Sequence, residues 1–225
     1  MTMKKLNLEE VNEYVNEQIA IFHEARSRSV SNTTLKKLVS KNPYLLKAKN
    51  INSASELVKG SFSARLSSSE EERFGQFLEG LAIFIAEKTT GGHKSGVPGV
   101  DLEFNYGGWH YFGGIKSGTN WGNGSQQNQL ERELRQAVQT FKQGKGQRSN
   151  VDSVLGICYG KTRTSRVRGY LKLVGQNFWT FVSGNKDLYT QIIEPIGYRA
   201  KEHNDAYEKE IARISNKITL EFIQE

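Results

Sequence analysis

The stretch from Val100 to Lys116 constrains the chain most. Val100, Leu102, Phe104 and Tyr106 alternate with Asp101, Glu103 and Asn105. Strict alternation places successive side chains on opposite faces of a strand. Gly107-Gly108 follows, a pair that accepts the positive φ angles of a two-residue hairpin turn, and Trp109 to Lys116 returns as the second strand. An amphipathic helix is expected next, Gln127 to Phe141, with Leu130, Leu134, Ala137, Val138 and Phe141 on one side. Beyond a polar connection from Gly144 to Asn150, Val151 to Tyr159 is largely apolar, as in a strand covered on both faces. Strand, helix and strand in that order form a crossover between parallel neighbours. The expected architecture is an α/β mixed sheet with helices on both sides.

The flanks read as helical. Val11, Tyr14, Val15, Ile19 and Phe22 recur at helical spacing over residues 8–26. The other face of that helix carries Glu9, Glu13, Glu17 and Glu24, so it should dock on protein and not on DNA. Residues 27–34 are polar and read as a loop. Short helices are expected at Leu35 to Ser40 and Ser55 to Lys59, around Asn42-Pro43, with basic side chains at Lys36, Lys37, Lys41, Lys47 and Lys49. Ser67-Ser68-Ser69 followed by Glu70-Glu71-Glu72 has the form of a capping box that opens a new helix. That helix runs to about Glu87 on a stripe of Phe74, Phe77, Leu78, Leu81 and Ile85, and Thr89-Thr90-Gly91-Gly92 ends it. Val167 to Val174 reads as a further strand, followed by the apolar Phe178 to Val182; Lys186 to Ile193 and His203 to Phe222 read as helices. Residues 1–60 are expected to pack as a helical region on a core of residues 61–225, giving one compact domain.

Lysine and arginine outnumber the acids 31 to 24, a formal charge of +7 that favours a polyanionic partner. The single cysteine, Cys158, lies in an apolar run and reads as a buried thiol. The N-terminal residues lack a signal-peptide apolar segment and no run is long enough for a membrane span, so a cytoplasmic protein without a membrane partner is expected.

Chemistry gathers at the hairpin. A turn at Gly107-Gly108 brings Asp101 and Lys116 onto neighbouring strands. From spacing alone they read as a cross-strand ion pair, worth a few tenths to about 1 kcal/mol. Phosphodiester hydrolysis would use the same pair differently. A hard divalent cation takes oxygen ligands. A lysine beside it helps activate water and stabilises charge growing on the phosphate.

The segments Gly99-Val100-Asp101-Leu102-Glu103-Phe104 and Tyr111-Phe112-Gly113-Gly114-Ile115-Lys116-Ser117-Gly118 resemble the core of the PD-(D/E)xK nucleases. The longer run from Ile115 to Gln126 resembles the PmeII-like type II restriction endonucleases. So do Asn42-Pro43-Tyr44-Leu45, Leu66-Ser67-Ser68-Ser69-Glu70-Glu71 with Phe74-Gly75, and Phe178 to Gly184. The resemblance implies a restriction-endonuclease-like core, a mixed central sheet of about five strands flanked by helices, with an N-terminal helical extension. It implies a prokaryotic homodimer that cuts double-stranded DNA at a short site with Mg²⁺, for which Mn²⁺ may substitute. By the same resemblance Asp101 is the metal-binding acid, Lys116 the catalytic lysine, and the Ile115 backbone carbonyl a metal ligand.

One position departs from that pattern. Two residues before the lysine, where the family carries Glu or Asp, stands Gly114. Related nucleases often place a helix glutamate near this site, so the resemblance favours Glu79 as the replacement, catalytic and metal-binding; Gly75, Ala82 and Ala86 on its side of the helix permit close approach to the sheet. Glu103, Glu131 and Glu133 are the alternatives. Basic side chains between Lys142 and Lys172, namely Lys142, Lys145, Arg148, Lys161, Arg163, Arg166, Arg168 and Lys172, share that span with one acid, Asp152. Lys161, Arg163, Thr164, Arg166 and Arg168 are expected to contact DNA, joined by Asn120, Trp121 and Asn123 in the loop after Lys116, which reads equally as a structural turn with Trp121 buried. His110 alternates with Phe112 and is expected to pack. Two other readings stay open: a DNA-binding protein on a nuclease scaffold that no longer cuts, and a nuclease of repair or mobile DNA.

Overall fold

A computed structural model describes residues 3–39, 44, 48, 53–145 and 150–224. The chain divides into two compact units, Met1–Asn16 with Gly75–Ile196, and Glu17–Phe74 with Gly197–Glu225.

The first unit is built on a six-stranded sheet. Its strands are β1 (His93–Lys94), β2 (Leu102–Tyr106), β3 (Trp109–Lys116), β4 (Val151–Ile157), β5 (Ser165–Val167) and β6 (Tyr170–Val174), in the order β1-β2-β3-β4-β6-β5. The β3–β4 and β4–β6 pairs are parallel; the other pairs are antiparallel. Helix α4 (Gly124–Lys145) makes the expected crossover from β3 to β4. Its Leu130, Leu134 and Ala137 join Val100, Phe112, Leu155 and Ile157 in one apolar cluster. The C-terminal part of helix α3 (Ala54–Thr90) supplies Leu81, Ala82, Ile85 and Ala86, all fully buried. Helix α5 (Gln176–Ser183) adds Phe178 and Trp179, and the Trp179 indole N–H donates to the Cys158 carbonyl at 2.8 Å. Cys158 is buried, as its apolar run implies. His110 packs, stacked on Phe141 at 4.4 Å.

The second unit is helical. It contains the C-terminal part of α1 (Leu8–Ser31), α2 (Leu35–Val39), the N-terminal part of α3, and α8 (Ala200–Gln224). Val30, Leu38, Val58, Phe62, Leu66, Ile214 and Ile218 form its core. Arg26 lies 3.9 Å from the Tyr207 ring centroid and donates to Glu70 at 3.0 Å.

Several elements differ from the sequence expectation. Helix α1 does not stop at residue 26, because Val30 is buried in the helical core and Ser31 Oγ donates to Glu210 at 2.7 Å. The serines at 67–69 do not open a helix; α3 runs through them without a break. Ser68 Oγ donates to the Ala64 carbonyl at 3.1 Å, which satisfies the hydroxyl within the helix, and the buried stripe of Val58, Phe62 and Leu66 carries the helix across. Val167 to Val174 is two strands, since Arg168 and Gly169 adopt positive φ and turn the chain into the β5–β6 hairpin. With β1, this second short edge strand turns the four strands read along the sequence into six, where the resemblance implied about five. The apolar run at Phe178 is helical, closed by Gly184 in the left-handed conformation. Lys186 to Ile193 holds two short helices, α6 (Leu188–Gln191) and α7 (Ile193–Ile196). The expectations for Ser40, Asn42-Pro43, Leu45, Lys41, Lys47, Lys49 and Arg148 lie outside the described residues, as does most of the connection after Lys145.

Candidate active site

Regular alternation fails at Asp101. Leu102 is the register partner of Gly113, yet the Asp101 N–H also donates to the Gly113 carbonyl, at 2.9 Å. Two successive residues thus oppose one, the arrangement of a β-bulge, which re-aims a side chain. Val100 consequently turns into the α4-side cluster with Phe112 and does not follow Leu102. Asp101 directs its carboxylate across the strand end, where Oδ2 accepts the Ile115 N–H at 2.6 Å.

Lys116 occupies the last position of β3, with Nζ 3.8 Å from that Oδ2. Both side chains are about a quarter to a third exposed, so the pair faces the rim of the sheet and not its core. Lys116 Nζ also lies 5.7 Å from the Trp121 ring centroid, and Trp121 packs on the α4 cluster. The N–H and C=O of one strand residue point to the same edge. The Ile115 carbonyl is therefore directed toward the Asp101 edge, while the Lys116 carbonyl is taken by the Cys158 N–H at 2.8 Å.

Gly114 is filled space. A Cβ there would lie 2.9 Å from Cδ1 of Leu130, a buried residue of α4. The volume in which the usual second acid would start is occupied by the helix.

The four candidate replacements are in different surroundings. Glu79 sits one turn after Gly75, whose added Cβ would stand 3.9 Å from Ser117, the residue after Lys116. It lines an open cavity of about 640 Å³ and its carboxylate is 3.6 Å from Lys94 Nζ. Burial above all pushes the Cys158 thiol above its ordinary range; the Glu79 charge adds to this and Lys116 opposes it. Glu103 accepts from Ser95 Oγ and stands 3.5 Å from His110 Nε2, too far for a good hydrogen bond, so that buried nitrogen has no hydrogen-bond partner; burial above all holds the His110 pKa below its ordinary value, with Glu103 opposing. Glu131 is paired with Arg135 and with Arg168. Glu133 accepts from Gln129 at 2.9 Å and packs against Gly99. The helix of Glu79 runs beside the residue that follows Lys116.

Among the described residues, no three His, Cys, Asp or Glu side chains are gathered to hold a metal ion. The donors at the strand end still fit a hard divalent cation. Asp101 makes both its contacts through Oδ2, which leaves its other oxygen available, and the Ile115 carbonyl supplies a second hard donor.

The expected DNA contacts separate into two groups. Asn123 caps α4: its Oδ1 accepts the Gln126 N–H at 3.1 Å, and Gln126 Oε1 accepts the Asn123 N–H at 2.9 Å. With Trp121 packed and Asn123 engaged in the cap, the loop after Lys116 is built as a structural turn, in which Asn120 is exposed. Arg166 is held by both oxygens of Asp152, and Arg168 by Asn128 and Glu131. Lys161 and Arg163 are exposed and make no ion pair among the described residues. Sequence reasoning missed two residues near them, Asn177 and Tyr189, because the run at Phe178 hides a helix start.

A mixed sheet with an acid and a lysine brought together at one rim fits a PD-(D/E)xK-type nuclease. The family model for the type II restriction endonuclease EcoO109I matches residues 9–204, and the chain belongs to that family. It is accordingly a nuclease of a restriction system, a hydrolase whose substrate is DNA. No curated protein matches the chain. No described helix is long and apolar enough to cross a membrane.

Proposed function

We propose that the chain is a sequence-specific endonuclease that hydrolyses one phosphodiester bond in each strand of double-stranded DNA, using Mg²⁺ or, in its place, Mn²⁺. The observation that carries this reading is the Asp101 carboxylate fixed on the Ile115 N–H with the Lys116 ammonium 3.8 Å away, all at one strand end. Asp101 and the Ile115 carbonyl would hold the ion, and Glu79 would complete the set from α3. When bound, the cation supplies Lewis acidity and lowers the pKa of a water. Lys116 would hold the attacking water and stabilise charge developing on the phosphate. Its ammonium is steadied between Asp101 and the Trp121 face, which pre-orders it before substrate arrives. Lys161, Arg163, Thr164 and Asn120 would contact DNA, while Arg166 and Arg168, already paired, would brace the β5–β6 hairpin. A homodimer reading a symmetric site in a prokaryotic cytoplasm completes the reading.

Incubating plasmid DNA with the protein and Mg²⁺ should give discrete fragments. Asp101→Ala and Lys116→Ala should each lower the rate by at least about a hundredfold with unchanged circular dichroism. Retained cutting by either variant would sink the site. Gly114 favours a second reading, a DNA binder that does not cut: retarded but intact plasmid would support it.

A further inference from the structure

The three parallel strands β3, β4 and β6 end on one rim, where open α/β sheets receive their ligands. Lys116 closes β3. Beyond the ends of β4 and β6 lies a groove of about 470 Å³, walled by Gly160 to Arg163, Val174, Gln176, Asn177 and Tyr189. The groove and the Lys116 loop are continuous. The Tyr159 N–H donates to the Ser117 carbonyl at 3.0 Å, and the Tyr159 ring covers Gly118, where an added Cβ would lie 2.4 Å from it. Gly160 in turn lies against Thr119, 2.8 Å by the same measure.

The lining carries two cations and no acid. Lys161 and Arg163 supply charge, and Thr162 and Tyr189 supply hydroxyls. Asn177 ties the two walls together, since its Nδ2 donates to Thr164 Oγ1 at 3.0 Å. One amide hydrogen of Asn177 remains for a ligand. This differs from Arg166 and Arg168, whose charges are already answered by carboxylates. Adjacent strands are about 5 Å apart. The groove therefore sits one to two strand spacings, roughly 5–10 Å, from Lys116, within reach of a phosphate close to the one at Lys116 on the same DNA strand.

We propose that this groove holds one backbone phosphate of the DNA strand being cut, a neighbour of the scissile one, gripped by Lys161 and Arg163 and seated by Asn177 and Tyr189. The inference rests on the nuclease reading given above. A single phosphate makes a sharp demand, because each phosphate neutralised on duplex DNA contributes a slope of about −0.9 to log K against log salt. Binding of a mixed-sequence 30-base-pair duplex, without divalent ion, would be followed by fluorescence anisotropy over a range of salt.

The double variant Lys161→Ala/Arg163→Ala should flatten the slope by about 0.9, not by about 1.8. Asn177→Asp, which places a carboxylate in the groove at an exposed position, should weaken binding at least about tenfold at low salt. Lys201→Ala/Lys209→Ala, an equal loss of charge at exposed positions of α8, should leave the slope unchanged. An unchanged slope in the double variant, or a loss near 1.8, would overturn the proposal, as would full affinity in Asn177→Asp. If the unaltered protein cuts and binds DNA while these results fail, the groove is wrong and the nuclease reading stands. If the unaltered protein neither binds nor cuts, both fall.

Discussion

A glutamate introduced at Gly114 is expected to cost stability and to restore nothing to the active site. The Cβ alone would meet Leu130 Cδ1 at 2.9 Å, inside the buried cluster that includes Leu134 and Ala137. Forcing added atoms into such a layer costs about 1–3 kcal/mol. Bringing the carboxyl group out of water without a partner adds about 1–3 kcal/mol even when it stays protonated. The sum centres near 4 kcal/mol, and at about 2–4 °C per kcal/mol for a chain of this size the melting midpoint should fall by roughly 8–16 °C. Gly114→Ala separates the two parts: the leucine methyl can move a few tenths of an ångström, so about 1 kcal/mol is expected. Urea titrations of the three proteins give the energies, and plasmid cleavage in Mg²⁺ gives the activity. A Gly114→Glu protein as stable as the parent, and cutting faster, would refute the reasoning. It would mean that Leu130 gives way and that the carboxylate reaches Lys116.

Other perturbations bear on separate parts of the molecule. Arg166→Ala removes an exposed pair with Asp152, so stability should change by no more than about 1 kcal/mol and the salt slope of DNA binding not at all; a slope flatter by about 0.9 would make Arg166 a phosphate contact. Trp179→Phe strips the buried Cys158 carbonyl of its 2.8 Å donor and should cost about 1–3 kcal/mol in a urea titration. In the helical unit, burial, His203 and Arg26 together lower the His23 pKa from 6.5 to about 4, with Glu70 opposing. The unfolded chain then binds the proton first as pH falls. This stabilisation is complete above 6.5 and is lost between 6.5 and about 4, on the order of 1 kcal/mol after solvent screening. His23→Gln should flatten the pH dependence of the urea midpoint in that window, and an unchanged profile would count against the assignment.

The hairpin and its crossover were legible because each is written in local pattern. Trp109 to Lys116 was bounded to the residue, since Gly107-Gly108 marks the turn and Lys116 the exposed end. The bulge at Asp101 was not legible. It depends on one N–H choosing the Gly113 carbonyl, a choice made by pairing and not by composition. The serine run at 67–69 misled for a related reason. Ser and Glu at capping spacing open a helix only where the backbone is free to start one, and there the buried stripe from Val58 to Leu66 was already helical. Basic residues were found as a group but not sorted. Which arginines keep their charge for a ligand follows from Asp152 and Glu131, and the turn at Arg168-Gly169 that brings them there has no local signature strong enough to divide the strand.

The contact between Gly114 and Leu130 also bears on how such a site can change over generations. Moving to a sheet with an acid at 114 takes two replacements, and each fails when made first. Glutamate alone collides with the leucine. Shrinking Leu130 alone opens a hole in the core, typically worth about 2–5 kcal/mol, a large share of a domain's total stability. Neither intermediate is an easy place to stop, so the packing acts as a ratchet. A chain in this state finds its second carboxylate more readily on a neighbouring helix than by walking back to the strand.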